Sequence, residues 1–373
     1  MVSGELSELY KVLKGFLEGD ISCPLKANVL MRKIIADLRN YVDPATGVKR
    51  PLGVVLHGKW VGGSLFLDDS ILLARGMVEA QLMCDVVAKC IADYMITFSA
   101  PKTMAVRVAP KLQPLATLSM SGMAGGPVTE LDDDSVDRTE DKMGGWRGVK
   151  QPGEKGRAAQ VEAAARIIQR RVMKYLGVWY QSGGAVNSKQ GEYIGNRARG
   201  VVGRISQVGC FEGGLSPSVA LDHAETKFIS TVSYGCIAWA YVNVMGNGIG
   251  VTAARVVERA QLSLARAVLN APKKMPAPIV LGEAGWMSVT LQWAVTVLQE
   301  WGTIMAAPVS RTDRAVLVGD VTAARAGEKC SELGVRVVGA AELIFGLGGG
   351  HELNYRNKAA WKKKLKKAVA VAA

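Results

Sequence analysis

With 373 residues the chain has room for two or three domains of ordinary size. Hydrophobic residues make up 49% and charged ones 21%, which excludes a chain that is disordered throughout. Lys and Arg number 46 against 33 Asp and Glu, and the net charge of +13 favours an anionic partner, nucleic acid ahead of an acidic membrane face.

In chain order, the first 110 residues alternate helical and strand-like patterns. Asn28, Leu30, Ile34, Ile35 and Leu38 fall at helical spacing. Val54-Val55-Leu56, a His57-Gly58 turn and a second strand reaching Leu65 predict a β-hairpin, and Ile71-Leu72-Leu73 predicts a further strand. Leu82, Val86 and Ile91 mark an amphipathic helix. Residues 111–157 form an acidic, Gly-rich insertion. Glu130 to Asp141 holds seven acids and one base, too polar to bury a core, and the segment is expected to be disordered, with 121–150 mobile. An Ala-rich helix is expected over 157–171. Residues 201–310 read as mainly helical, with Ala253–Leu269 and Ser288–Met305 the clearest runs. The last segment, 311–373, ends in a basic cluster of Arg356, Lys358, Lys362, Lys363, Lys364, Lys366 and Lys367, with Trp361 among them.

Three negative readings follow from the sequence. Six scattered cysteines without a Cys-x-x-Cys pair, and three histidines far apart, give no expectation of a zinc site or a disulfide framework. Glu5, Glu8 and Lys11 interrupt any secretory leader, so the expected location is intracellular, nucleus or cytoplasm, and not secreted. Phe228 to Ala254 carries no charge but holds Ser230, Thr231, Ser233, Asn243 and Asn247, and is expected to be a buried core segment and not a membrane span.

The sharpest chemistry lies at Phe66-Leu67-Asp68-Asp69. Two adjacent carboxylates at the tip of an apolar hairpin are costly unless a cation meets them, and Mg²⁺ suits carboxylates shared with phosphate oxygens. The bland alternative is a solvated Asp-Asp turn. Upstream lies Gly15-Phe16-Leu17-Glu18-Gly19-Asp20-Ile21-Ser22-Cys23-Pro24-Leu25. Downstream come Pro101-Lys102-Thr103 and then Tyr175-Leu176-Gly177. In this order the motifs, spanning about residues 15–290, resemble the reverse transcriptase domain of non-LTR (LINE-like) retrotransposons.

The resemblance implies an α+β fold: the C-terminal part of a polymerase palm over 1–110, a primer-grip-like region over 158–200, and a helical thumb over 201–310 followed by the basic tail. Asp68 and Asp69 would be the metal-binding pair, with Asp68 the ligand and Asp69 its support. Lys102 would assist pyrophosphate departure. Gly15, Glu18, Gly19, Pro24 and Phe66 would line the nucleotide and template site. Tyr175, Leu176 and Gly177 would form the primer grip. Ser233-Tyr234-Gly235 with Trp239, and then Gln261, Arg266, Glu283, Gly285 and Trp286, are similar to the family's thumb pattern. The implied partners are an RNA template, a DNA primer and deoxynucleoside triphosphates, with Mg²⁺ as the ion, no small-molecule cofactor and no membrane. The tail lysines could follow a phosphate backbone, with Trp361 stacking on a base.

Departures from the family pattern are specific. Glu18 stands where Gln is usual, Cys23 where Ser is usual, and Leu67 where Ala is common. The family's first catalytic strand supplies an aspartate shared by both metals, whereas residues 1–14 hold no Asp. Asp20, Asp37 and Asp43 are the nearest substitutes, and none follows an apolar strand. The expectation is therefore an RNA-directed DNA polymerase of a transposable element in a truncated or inactive form, lacking the fingers and the first catalytic strand. The alternative is a non-catalytic nucleic-acid-binding protein on the same palm–thumb scaffold.

Overall fold

A computed structural model of the chain describes residues 23–66, 69–94, 98–99, 103–106, 118–120, 123–124, 165–170, 172–181, 188–209, 216–240, 249–328, 330–346, 353 and 358–372. The chain is α+β and divides into two compact units, Met1–Met173 and Lys174–Ala373. The division runs through the 158–200 segment.

In the first unit, α1 (Cys23–Arg39) buries Leu30, Met31, Ile34 and Leu38 along one face, while Lys33 and Asp37 pair four residues apart on the other. β1 (Val54–Leu56) and β2 (Lys59–Val61) form the expected hairpin, with Leu56 opposite Lys59. Both turn residues take positive φ, His57 at 46° and Gly58 at 71°, the geometry that matches the twist of a tight hairpin. The single second strand expected to reach Leu65 is instead two. β2 ends at Val61, and β3 (Gly63–Phe66) pairs with β4 (Asp69–Leu72). The break falls at Gly62, where the Trp60 ring folds over the backbone so closely that a Cβ would come within 2.6 Å of it.

α2 (Met77–Asp93) buries Met83, Val87, Ala88, Cys90 and Ile91, which join the α1 face and Leu52 in one core. Its first turn also buries Glu79, a carboxylate that accepts from the Gly53 and Arg75 backbone N–H groups and from the Arg75 guanidinium. Burial pushes this carboxyl up, but those donors outweigh it, and the net shift is downward from the ordinary 4.5. A lowered folded value means that stability is contributed at pH above about 4.5 and lost as pH falls through the folded value. Acid titration followed by circular dichroism should show this loss in the native chain. Glu79→Gln, destabilised by about 1–2 kcal/mol at neutral pH, should lack that part of the acid dependence.

The remaining strands of this unit are β5 (Phe98–Ser99), β6 (Met104–Val106), β7 (Leu118–Met120), β8 (Met123–Ala124) and β9 (Ala165–Arg170). β5 pairs with β8 in parallel, and β9 lies between parallel β6 and antiparallel β7. β9 corrects the Ala-rich helix expected over 157–171 where it is described, at 165–170; residues 157–164 lie outside the described residues. Ile167 and Ile168 suit a strand, and pairing on both edges outweighs the modest helix preference of alanine. Within the 111–157 insertion, expected to be disordered, two short strands are described; its acidic stretch 130–141 lies outside the described residues.

The unit boundary falls within β10 (Val172–Tyr175), which pairs with β11 (Val178–Gln181), and the described elements that follow are all helices. These are α3 (Ser188–Gly209), α4 (Pro217–Ser233), α5 (Cys236–Trp239), α6 (Ile249–Leu269), α7 (Ala277–Ala284), α8 (Val289–Met305), α9 (Thr312–Arg325), α10 (Glu332–Phe345) and α11 (Lys358–Ala372). α6 and α8 contain the two runs read from periodicity. The core gathers on α8 through Trp293, Ala294, Val297, Leu298 and Trp301. Ser288 and Ser331 cap α8 and α10 by accepting from Leu291 and Leu333. Buried Arg336 on α10 donates to the Ala238 carbonyl at the end of α5 and pairs with Glu332.

The uncharged run 228–254 is divided among the end of α4, α5 and the start of α6, and its described Phe228, Val232, Cys236, Trp239, Ala240 and Ala254 are buried. Among the described residues no helix is long and apolar enough to cross a membrane.

Candidate nucleic-acid interface

Of the Asp-Asp motif, Asp69 lies within the described residues. In the β3–β4 register Phe66 lies opposite Asp69. Asp69 opens β4 and is exposed; Asp68 lies outside the described residues. Gly15, Glu18, Gly19 and Lys102 also lie outside them, Pro24 stands in the first turn of α1, and Phe66 closes β3. An exposed carboxylate at a strand end has the chemistry to meet a Mg²⁺-bound phosphate. Among the described residues no three His, Cys, Asp or Glu side chains converge as a metal centre. Of the substitute aspartates, Asp37 is bound by Lys33 Nζ at 2.5 Å, and Asp43 closes a local turn by accepting from the Ala45 N–H. Asp20 lies outside the described residues.

The second unit brings together two motifs that lie far apart in sequence. Tyr175-Leu176-Gly177 makes the β10–β11 turn, with Leu176 at φ 46° and Gly177 at φ 78°. The Tyr234 hydroxyl donates to the Leu176 carbonyl at 2.8 Å, across 58 residues of sequence. Gly177 is needed twice over: its φ is positive, and a Cβ there would lie 2.7 Å from the Tyr234 ring. Gly235, also at positive φ, backs onto Val178, and Trp239 Nε1 donates to the Tyr234 carbonyl at 2.8 Å. Tyr234-Gly235 and Trp239 thus form a clasp on the Leu176-Gly177 turn.

The later thumb-like residues also have definite work. Gln261 is buried, donates to the Met287 carbonyl at 2.8 Å and accepts from the Val289 N–H at 3.1 Å, tying α6 to the start of α8. Arg266 donates to the Met275 carbonyl, Gly285 ends α7 in the left-handed conformation, and Trp286 is buried. Glu283 is exposed.

Beside the β10–β11 turn lies a group of side chains that sequence reading missed. Lys174 Nζ stands 5.5 Å from the Trp179 ring centre and 5.2 Å from that of Tyr193. Lys189 reaches the Trp179 ring at 6.0 Å, and the Arg197 guanidinium covers Tyr193 at 5.8 Å. The two rings meet edge to face at 6.2 Å. Cations held over aromatic faces keep their charge while losing freedom, which suits a phosphate-bearing ligand. Lys189, Tyr193 and Arg197 recur every fourth residue, so the stripe was readable once α3 was drawn as a helix.

The basic tail needs one correction. Trp361 is 1% exposed, and its Nε1 donates to the Leu298 carbonyl at 2.9 Å. It therefore cannot stack on a base: it is a core residue, seated against Gly302, where a Cβ would lie 2.5 Å from the indole. Lys358, Lys362, Lys363, Lys364, Lys366 and Lys367 are exposed on the same helix, with Lys362, Lys363, Lys366 and Lys367 turned away from the buried stripe. Compared with protein-family models, curated proteins and solved structures, the chain matches none.

Proposed function

We propose that the chain is the C-terminal palm and thumb part of an RNA-directed DNA polymerase of the non-LTR retroelement type. The observation that carries this reading is the clasp. Two sequence motifs that resemble the family's primer grip and thumb segment, 58 residues apart, meet through the Tyr234–Leu176 hydrogen bond. A rigid turn beside cationic and aromatic side chains can hold a primer strand in register, which is the positioning part of polymerisation. Asp68 and Asp69 would hold Mg²⁺, whose chemistry there is to neutralise the triphosphate and activate the primer hydroxyl. Lys102 would donate charge to the departing pyrophosphate.

The second reading, a non-catalytic nucleic-acid-binding protein on the same scaffold, is favoured by the Lys174–Trp179–Tyr193 group, which needs no carboxylate to act. Primer extension separates the two. The 373-residue polypeptide, tested by itself with Mg²⁺, primer–template and nucleotides, should give no extension above background. Joined to the fingers and first palm strand of a non-LTR polymerase, it should extend the primer, and Asp68→Ala should abolish that extension. A joined chain that folds and binds primer–template but does not extend it would sink the polymerase reading and leave the binding one.

A further inference from the structure

The C-terminal helix α11 is a basic segment with an unusual distribution of duties. Its large apolar side chains Trp361 and Leu365 are buried, and Val369 packs partly against the same core. Of its large apolar residues only Val371 is exposed. Six lysines between positions 358 and 367 are exposed, of which Lys362, Lys363, Lys366 and Lys367 turn away from the buried stripe, and the helix contains no acidic residue. Lys364 lies over the Phe345 ring at 5.6 Å, a contact that fixes its ammonium on the surface of the helix pair. The two helices packed against α11 carry Glu300, Glu332 and Glu342, the second of which is already paired with Arg336. The lysines outnumber them.

We propose that the outward face of α11 binds the phosphate backbone of a nucleic-acid duplex, independently of sequence and without base stacking. The inference does not depend on the polymerase reading. Three observations choose the partner. First, among the described residues the helix carries charge and no exposed aromatic ring, since its one indole is in the core. A single strand gains affinity from stacking on aromatic faces, and this surface offers none. Second, Lys362, Lys363, Lys366 and Lys367 occupy about 7.5 Å of helix axis, and a duplex offers about one phosphate per 1.7 Å, so phosphates are dense enough to meet these four lysines. Third, a helix that binds a bilayer buries its apolar stripe among acyl chains, and here Trp361 and Leu365 are already spent within the protein. Lysines, as flexible point charges, follow a backbone without reading bases.

The test uses the full chain and the variant with Lys362, Lys363, Lys366 and Lys367 all changed to Gln, which leaves the buried anchor intact. Thermal melting checks that both fold alike. Binding to a duplex of arbitrary sequence, to a single strand of equal length and to phosphatidylserine vesicles is followed by fluorescence anisotropy across salt. On the duplex, the four substitutions should lower the log–log salt slope by about 3.6, a loss of about a hundredfold in salt sensitivity between about 50 and 200 mM. On the single strand the change should be smaller, about 2.8. An unchanged duplex slope, a larger effect on the single strand, or vesicle binding by a chain that ignores the duplex would each overturn the proposal.

Discussion

Trp361→Ala should destabilise the second unit by about 3–5 kcal/mol, the range for deleting a large buried aromatic side chain. The indole is almost fully buried, lies at 5.9 Å and a tilt from the Phe345 ring, and fills the notch that Gly302 leaves in α8. That glycine has its own logic. In mid-helix it costs about 1 kcal/mol against alanine, but without a Cβ at 302 the Leu298 carbonyl stays open to the indole N–H. Trp361→Phe should cost less, about 1–2 kcal/mol, because most of the contact survives and the hydrogen bond does not. Chemical denaturation followed by tryptophan fluorescence and far-ultraviolet dichroism would measure both. A loss under about 1 kcal/mol for the alanine variant would show that the helix is held by something other than its indole. Because that indole seats α11, the alanine variant should also weaken any binding that runs through the lysines, with every lysine still present.

Gly63→Ala should disrupt the β3–β4 hairpin although it adds a single methyl group. A Cβ at position 63 would lie 2.2 Å from the Ile71 carbonyl oxygen and 3.2 Å from the Leu72 Cα. Both are backbone atoms, so no side chain can turn aside, and the strands must part by about an ångström. The cost should be about 3 kcal/mol, at the upper end for overpacking. Its position matters as much as its size. Gly63 pairs with Leu72, at the far end of the hairpin from the Phe66–Asp69 pair. In the joined polymerase chain, Gly63→Ala should therefore lose primer extension while both aspartates remain. Near-native extension would detach the Asp-Asp motif from the geometry of the hairpin.

Much of this architecture was legible because it is local. The helices at Cys23–Arg39, Met77–Asp93, Ile249–Leu269 and Val289–Met305 declare themselves by apolar spacing, and His57-Gly58 declares its turn by a residue pair that tolerates positive φ. What was not legible depends on partners distant in sequence. β9 reads as helix because its Ala and Arg residues favour one, and the strands that claim its two edges lie well before it in the chain. Trp361 reads as exposed because its neighbours are lysines; only Gly302, on another helix, reveals the notch. The clasp was half legible. Its two motifs could be named from the sequence, but nothing in either one says that Tyr234 closes on the Leu176-Gly177 turn. For the Asp-Asp motif the sequence gives the chemistry and the β3–β4 register places Asp69.

Four tryptophans of the second unit share one habit. Trp239 donates to the Tyr234 carbonyl, Trp293 to Val232, Trp301 to Leu353 and Trp361 to Leu298. Each large ring is thus tethered at one point to backbone, Trp239 five residues back and the other three far along the chain, and Trp239 and Trp293 also touch edge to face at 5.0 Å. Apolar burial alone is indifferent to small translations, so a bundle held only by greasy contact can slide along its helices at little cost. An indole N–H aimed at one carbonyl oxygen removes that indifference. A chain carrying phenylalanine at all four positions would keep most of its hydrophobic contact and lose its four directional anchors. It would drift from a single arrangement of helices towards a fluid family of them, compact and helical but without fixed neighbours.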